Sequence, residues 1–152
     1  MEPELAVDNR RTTVRVLAQE ILRGLTALSR LHRGDLIEAL VFTTIWSANT
    51  HHLVGPGARY ASMYDLPPDS QRRPVSLEDM RTTLCIPDDI LMRYLDDLVS
   101  QGYCERTAGG YVVPTAVFKR PEMLDGLNDF YTQAVNLVSA LRQSGFSVGE
   151  PA

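Results

Sequence analysis

Cysteine is scarce in this chain. Cys85 and Cys104 are the only two in 152 residues, too few for a disulfide framework in a chain of this size. No secretory leader pattern is legible, so the expected setting is reducing and cytoplasmic. Long apolar runs are also missing. The longest, near Leu36 to Ala48, is interrupted by Glu38, Thr43 and Thr44, and spanning a bilayer takes roughly 20 apolar residues. No membrane partner is expected. Positive charge is not in excess: the formal net charge is −4. That excludes a generally basic coat for nucleic acid but leaves room for a local basic face. There is no nucleophile elbow, no phosphate loop, and no carboxylate pair with a histidine. The pairs Glu78-Asp79, Asp88-Asp89 and Asp96-Asp97 read as solvated charge on helix surfaces, and no enzyme is expected. His51 and His52 diverge from one another and His32 lies elsewhere, whereas zinc takes three or four coherently spaced ligands. Neither a metal nor another cofactor is expected. Internal repeats and low-complexity tracts are absent from the sequence.

What is present is a globular apolar fraction of 44% and strong helical periodicity. The length suits one domain, 1–152, with a core of its own. From about Arg11, Val14, Leu17, Ile21, Leu25, Leu28 and Leu31 recur every three or four residues opposite Arg15, Gln19, Arg23 and Arg30. This predicts an amphipathic helix of about five turns, ended at His32-Arg33-Gly34. Asp35 can cap a second helix to about Thr50, with Ile37, Leu40, Val41, Ile45 and Trp46 buried. Residues 51–74 hold Gly55-Pro56-Gly57, Pro67-Pro68 and Pro74 with Tyr60, Met63 and Tyr64 between them. They are too many for an ordinary connection, so the loop is functional or packed on a neighbouring surface. Trp46, Tyr60, Met63 and Tyr64 could line a pocket for an aromatic or lipophilic small-molecule effector. The plainer reading makes them core aromatics under their own loop. Pro121 starts a last helix, carrying Leu124, Leu127, Phe130 or Tyr131, Ala134, Leu137 or Val138, and Leu141 to about Ser144.

The stretch from Ser76 to Pro114 organises the rest. Ser76 caps a short helix with Leu77, Met80 and Leu84 on one stripe. Cys85-Ile86-Pro87 breaks it, since Pro87 cannot continue the hydrogen-bond ladder. Cys85 is expected to be a small buried apolar group there. A second helix runs from about Asp88 to Gln101, with Leu91, Leu95 and Leu98 on one face, and Gly102 terminates it. Tyr103 to Thr107, Ala108-Gly109-Gly110 and Tyr111 to Val113 read as strand, turn and strand, from which Cys104 can face the core.

This order resembles a winged helix-turn-helix. Leu84-Cys85-Ile86-Pro87 is similar to the family's turn, Arg93-Tyr94-Leu95 through Leu98 to Gly102 to the second half of its recognition helix, and Glu105-Arg106 to Gly110-Tyr111 to its hairpin wing. The flanking helices add a likeness to bacterial regulators of the MarR type, though the ribbon is shorter than that family's and lacks its Asp-x-Arg signature. The fold class implied is mainly α with a small β-hairpin wing (α+β). A winged-helix core over 35–118, with its helix-turn-helix and wing at 76–114, lies between dimerisation helices at 11–33 and 121–144. The implied function is a dimeric, sequence-specific DNA-binding transcriptional regulator, with double-stranded DNA and a second copy as partners. The alternative is a winged-helix interaction module that does not touch DNA. DNA contacts fall to Arg72, Arg73, Arg81, Asp89, Met92, Arg93, Arg106 and Thr107, with Asp89 able to accept from cytosine N4. Dimer contacts fall to Leu17, Ile21, Leu25, Leu28, Leu124, Leu127, Tyr131, Leu137 and Leu141.

Overall fold

The structure is a computed structural model that describes residues 8–55, 57 and 59–147. It is mainly helical with one small antiparallel sheet. The elements run α1 (Arg10–Arg30), α2 (Leu36–Thr50), α3 (Leu77–Thr83), α4 (Asp88–Ser100), β1 (Glu105–Thr107), β2 (Gly110–Val112) and α5 (Pro121–Gln143), with 3-10 turns at His51–Leu53, Asp69–Gln71 and Thr115–Lys119.

Local signals set most boundaries. Asp35 accepts the Glu38 N–H at the start of α2, and Ser76 accepts the Asp79 N–H at the start of α3, each satisfying a donor that the first helical turn leaves open. Leu84 lies just past α3, in an extended conformation, and Pro87 disfavours a return to helix at Ile86 before it. Gly102 ends α4 in the left-handed region (φ 76°). There the Tyr103 N–H donates back to the Leu98 carbonyl at 3.0 Å. This wrapped end uses up the backbone of Tyr103 and Cys104, so the first strand starts only at Glu105, later than its composition predicts.

The core sits between α2, α4, the hairpin and the start of α5. Val41, Phe42 and Ile45 of α2 meet Leu91, Leu95 and Leu98 of α4, Met80 of α3, Val113, Phe118 and Met123. Leu36 and Ile37 stay exposed, so the buried face of α2 is displaced from the predicted one toward Ala39 and Phe42. Cys104 is buried and Cys85 is exposed, both as free thiols. The exposure of Cys85 corrects the expectation of a small buried residue: the turn carries it outward while Leu84 and Ile86 pack inward.

A buried asparagine joins the layers. Asn49 of α2 donates from Nδ2 to the carbonyls of Arg73 (2.7 Å) and Tyr111 (3.1 Å), and its Oδ1 accepts the Val113 N–H (2.9 Å). Val75 pairs with Tyr111 in both directions, at 3.0 and 2.9 Å, so the segment before α3 lies along the free edge of β2. Gly110 permits that approach. A Cβ there would lie 2.1 Å from the Val75 carbonyl oxygen, and the residue adopts φ 133°.

α1 and α5 pack against each other and run antiparallel. Leu31 lies over Gly126, Gly24 faces Phe130, and Asn9 reaches Gly145. Burial concentrates where the pair meets the core, at Ala27, Leu28 and Met123.

Candidate nucleic-acid interface

α3, the exposed side of α4 and the β1–β2 hairpin form one surface. The amphipathic pattern of α4 turns Leu91, Leu95 and Leu98 inward and leaves Asp88, Asp89, Arg93, Asp96 and Asp97 exposed. Ion pairs cross between elements here. Arg81 of α3 donates from Nε to Asp88 of α4 at 2.9 Å. Arg106 of β1 pairs through Nη2 with Asp96 of α4 and donates from Nε to the Tyr111 hydroxyl at 3.3 Å. Tyr111 and Asp96 both raise the Arg106 pKa, the phenol contributing more. Arg93 lies 5.9 Å from the centre of the Tyr94 ring and makes no ion pair among the described residues.

The structure divides the sequence-predicted contacts. Arg73, Arg81, Asp89, Arg93, Arg106 and Thr107 are exposed, and Thr107 is tied to its own hairpin by donating to the Gly110 carbonyl at 3.0 Å. Met92 is half-buried and packs on the core, which leaves it a minor surface element. Arg72 does not belong to the surface. It is 6% exposed, lies 4.9 Å from the centre of the Phe118 ring, and donates from Nε to Thr115 Oγ1 at 3.0 Å and from Nη2 to the Pro67 carbonyl at 3.4 Å. Burial lowers its pKa, with Asp69 opposing the shift. The correction has a plain cause: Arg72 and Arg73 are adjacent in an extended segment, so their side chains point to opposite sides.

The predicted dimer residues also divide. Leu17 and Ile21 are exposed and Tyr131 is 66% exposed. Leu25, Leu124, Leu127, Leu137 and Leu141 are half-buried. Leu28 is buried against the protein's own core, which removes it from any intermolecular surface. Sequence reading missed Leu22 and Val135, and it placed Val14 and Val138 in the helix stripes but not among the dimer contacts; all four are about half exposed or more. The sequence does show their helical spacing; what it lacked was which side of each helix the antiparallel partner would cover.

Trp46 and Tyr60 line a cavity of about 330 Å³ between the 51–74 loop, α2, α5 and the Thr115–Lys119 turn. Met63 lines the cavity with them, whereas Tyr64 is 79% exposed and stands outside it, a correction to its predicted place. No described group of three or more His, Cys, Asp or Glu side chains is close enough to hold a metal ion. No described helix is long and apolar enough to cross a membrane. No family model matches the chain, and no curated protein or solved structure matches it either.

Proposed function

We propose that the protein is a dimeric DNA-binding regulator with a winged helix-turn-helix core, in which α4 is the recognition helix and the β1–β2 hairpin the wing. The observation that carries this reading is the single surface shared by α3, the exposed side of α4 and the hairpin, with Arg81, Arg93 and Arg106 distributed over it and Arg73 exposed on the neighbouring segment that pairs with β2. A recognition helix reads bases through the outward side chains of its N-terminal part, here Asp89 and Arg93. Arg81 and Arg106 are held by Asp88 and Asp96, but these pairs are well exposed. Exposed pairs contribute little, so each arginine can exchange a carboxylate for a phosphate at small cost. The exposed apolar side of the α1–α5 pair, with Leu17, Ile21, Leu22, Tyr131, Val135 and Val138, supports pairing with a second copy.

A second reading rests on the acidity of α4. Asp88, Asp89, Asp96 and Asp97 outnumber Arg93, the helix's only cation, which suits a basic protein partner. Genome-wide occupancy of the tagged protein, followed by salt titration on a recovered fragment, separates the two. DNA binding predicts a linear fall of log affinity with log salt, shallower by about one in slope for each of Arg73→Ala and Arg93→Ala if that arginine contacts phosphate. Absence of binding to any genomic fragment at low salt rejects the regulator. A basic protein that co-purifies with the chain and is lost in Asp89→Asn/Asp97→Asn would then favour the interaction module.

A further inference from the structure

Two arginines of the α3–α4–hairpin surface are already occupied in the free protein. Arg81 reaches the start of α4 from α3, and its Nε donates to Asp88 at 2.9 Å. Arg106 reaches α4 from the hairpin and pairs through Nη2 with Asp96. Both carboxylates belong to α4, about 12 Å apart along its axis at the ordinary helical rise. A carboxylate is the side-chain group nearest to a phosphate in charge and in how it accepts from a guanidinium. Neither pair is needed to join the elements. Met80 of α3 and Leu91 of α4 meet in the core, and the hairpin root is held by Asn49 and Val75. Exposure is 44% and 63% for Arg81 and Asp88, and 53% and 59% for Arg106 and Asp96. Ion pairs that open to solvent add little stability. Arg106 has a second tether, since its Nε donates to the Tyr111 hydroxyl at 3.3 Å. Loss of Asp96 would leave that guanidinium oriented.

We propose that Asp88 and Asp96 act as internal stand-ins for DNA phosphate, holding Arg81 and Arg106 and suppressing attachment to duplex of arbitrary sequence. The proposal rests on the DNA-binding reading and adds a determinant of specificity to it. Phosphate contacts supply the sequence-independent part of DNA affinity. An arginine held by a carboxylate contributes only after exchange, and the displaced carboxylate then stands beside phosphates of its own sign. Loose docking on a random sequence leaves the pairs intact and forgoes both arginines. Seating α4 with Asp89 and Arg93 on base edges brings phosphates close enough for exchange. Specificity is a difference of affinities, and the two aspartates widen it by weakening the unmatched complex.

The test measures binding of the full chain to a random-sequence duplex over a range of salt. Asp88→Asn and Asp96→Asn each remove one carboxylate partner. Asp79→Asn and Asp97→Asn are the controls. They remove the same charge from α3 and α4, at exposed residues that make no ion pair among the described residues. Each paired-position variant should bind roughly two- to fivefold more tightly than its control, the release of one exposed ion pair. Its log–log salt slope should be steeper by about one, for one added phosphate contact. The double variant should combine the two gains, since they fall on different arginines. All four positions are exposed, so helix content by circular dichroism should not change. If Asp88→Asn loses helix, the comparison of Asp96 with Asp97 decides alone. Equal tightening at paired and control positions reduces the effect to net charge and overturns the proposal, as does an unaltered salt slope. Failure of every variant to bind the duplex at low salt overturns it too. The regulator reading is rejected by a different result, the absence of binding to any genomic fragment, so the two failures are distinguishable.

Discussion

The side-chain oxygen of Asn49 accepts the backbone N–H of Val113 at 2.9 Å, across 64 residues of chain. With its amide group directed at the Arg73 and Tyr111 carbonyls, one fully buried side chain links α2, the segment before α3 and the exit from β2.

Asn49→Ala should therefore destabilise the fold by about 2–3 kcal/mol, since it leaves buried backbone groups without partners. In a chain of this length that corresponds to a fall of roughly 5–10 °C in the melting midpoint. Calorimetry measures it. A midpoint unchanged within a degree or so would mean that Asn49 is a passenger.

Gly110→Ala should disrupt the pairing of Val75 with Tyr111, because the added Cβ would lie 2.1 Å from the Val75 oxygen in a backbone conformation that side chains rarely adopt. The expected cost is about 2–4 kcal/mol, with faster hydrogen exchange at the Val75 and Tyr111 amides. Native exchange rates at both sites would contradict the assignment of Gly110 as the residue that admits Val75.

Burial pushes the Cys104 thiol up to about 11 from its ordinary 9.0, with Arg106 opposing. A thiol-specific disulfide reagent at pH 8 should therefore titrate the exposed Cys85 promptly and Cys104 only after denaturation. The sign for stability follows from linkage. The folded chain holds this proton more tightly than the unfolded chain, so the contribution is full below pH 9.0 and is lost as pH rises through about 11. Cys104→Ala should flatten that part of the stability profile relative to the unaltered chain. Identical slopes in the two proteins would refute it.

The exposed apolar side of α1 and α5 leads to a mass prediction. Light scattering should give twice the 17.0 kDa of the monomer. Ile21→Glu combined with Val138→Glu should return the protein to monomer without a loss of helix, since both residues are already about half exposed. A monomer at micromolar concentration in the unaltered chain would remove the second copy from the proposal.

Periodicity and local chemistry carried the sequence reading a long way. α2 and α5 start where Asp35 and Pro121 predict, and the turn at Cys85-Ile86-Pro87 and the stop at Gly102 are where those residues place them. These features are legible because their causes lie within a few residues. The missed features have distant causes. Nothing near Asn49 marks it as buried, because its partners lie 24, 62 and 64 residues away. His32 and Glu38 form a buried contact at 3.0 Å, although either residue alone reads as surface. The pairings of Arg81 with Asp88 and of Arg106 with Asp96 depend on how helices and hairpin are juxtaposed. For the candidate site, composition indicated which residues were charged, and the fold alone separated exposed Arg73 from buried Arg72.

Little slack remains between the hairpin and the rest of the molecule. From Val113, held by Asn49, the chain passes through Pro114 alone to Thr115. There Asp69 accepts the backbone N–H, and the side chain bonds both Arg72 and the Pro67 carbonyl. The hairpin is thus anchored like a short cantilever. Its inclination is fixed at the root, so lengthening the Ala108-Gly109 tip should extend its reach without changing its angle, whereas one extra residue beside Pro114 should tilt the whole ribbon.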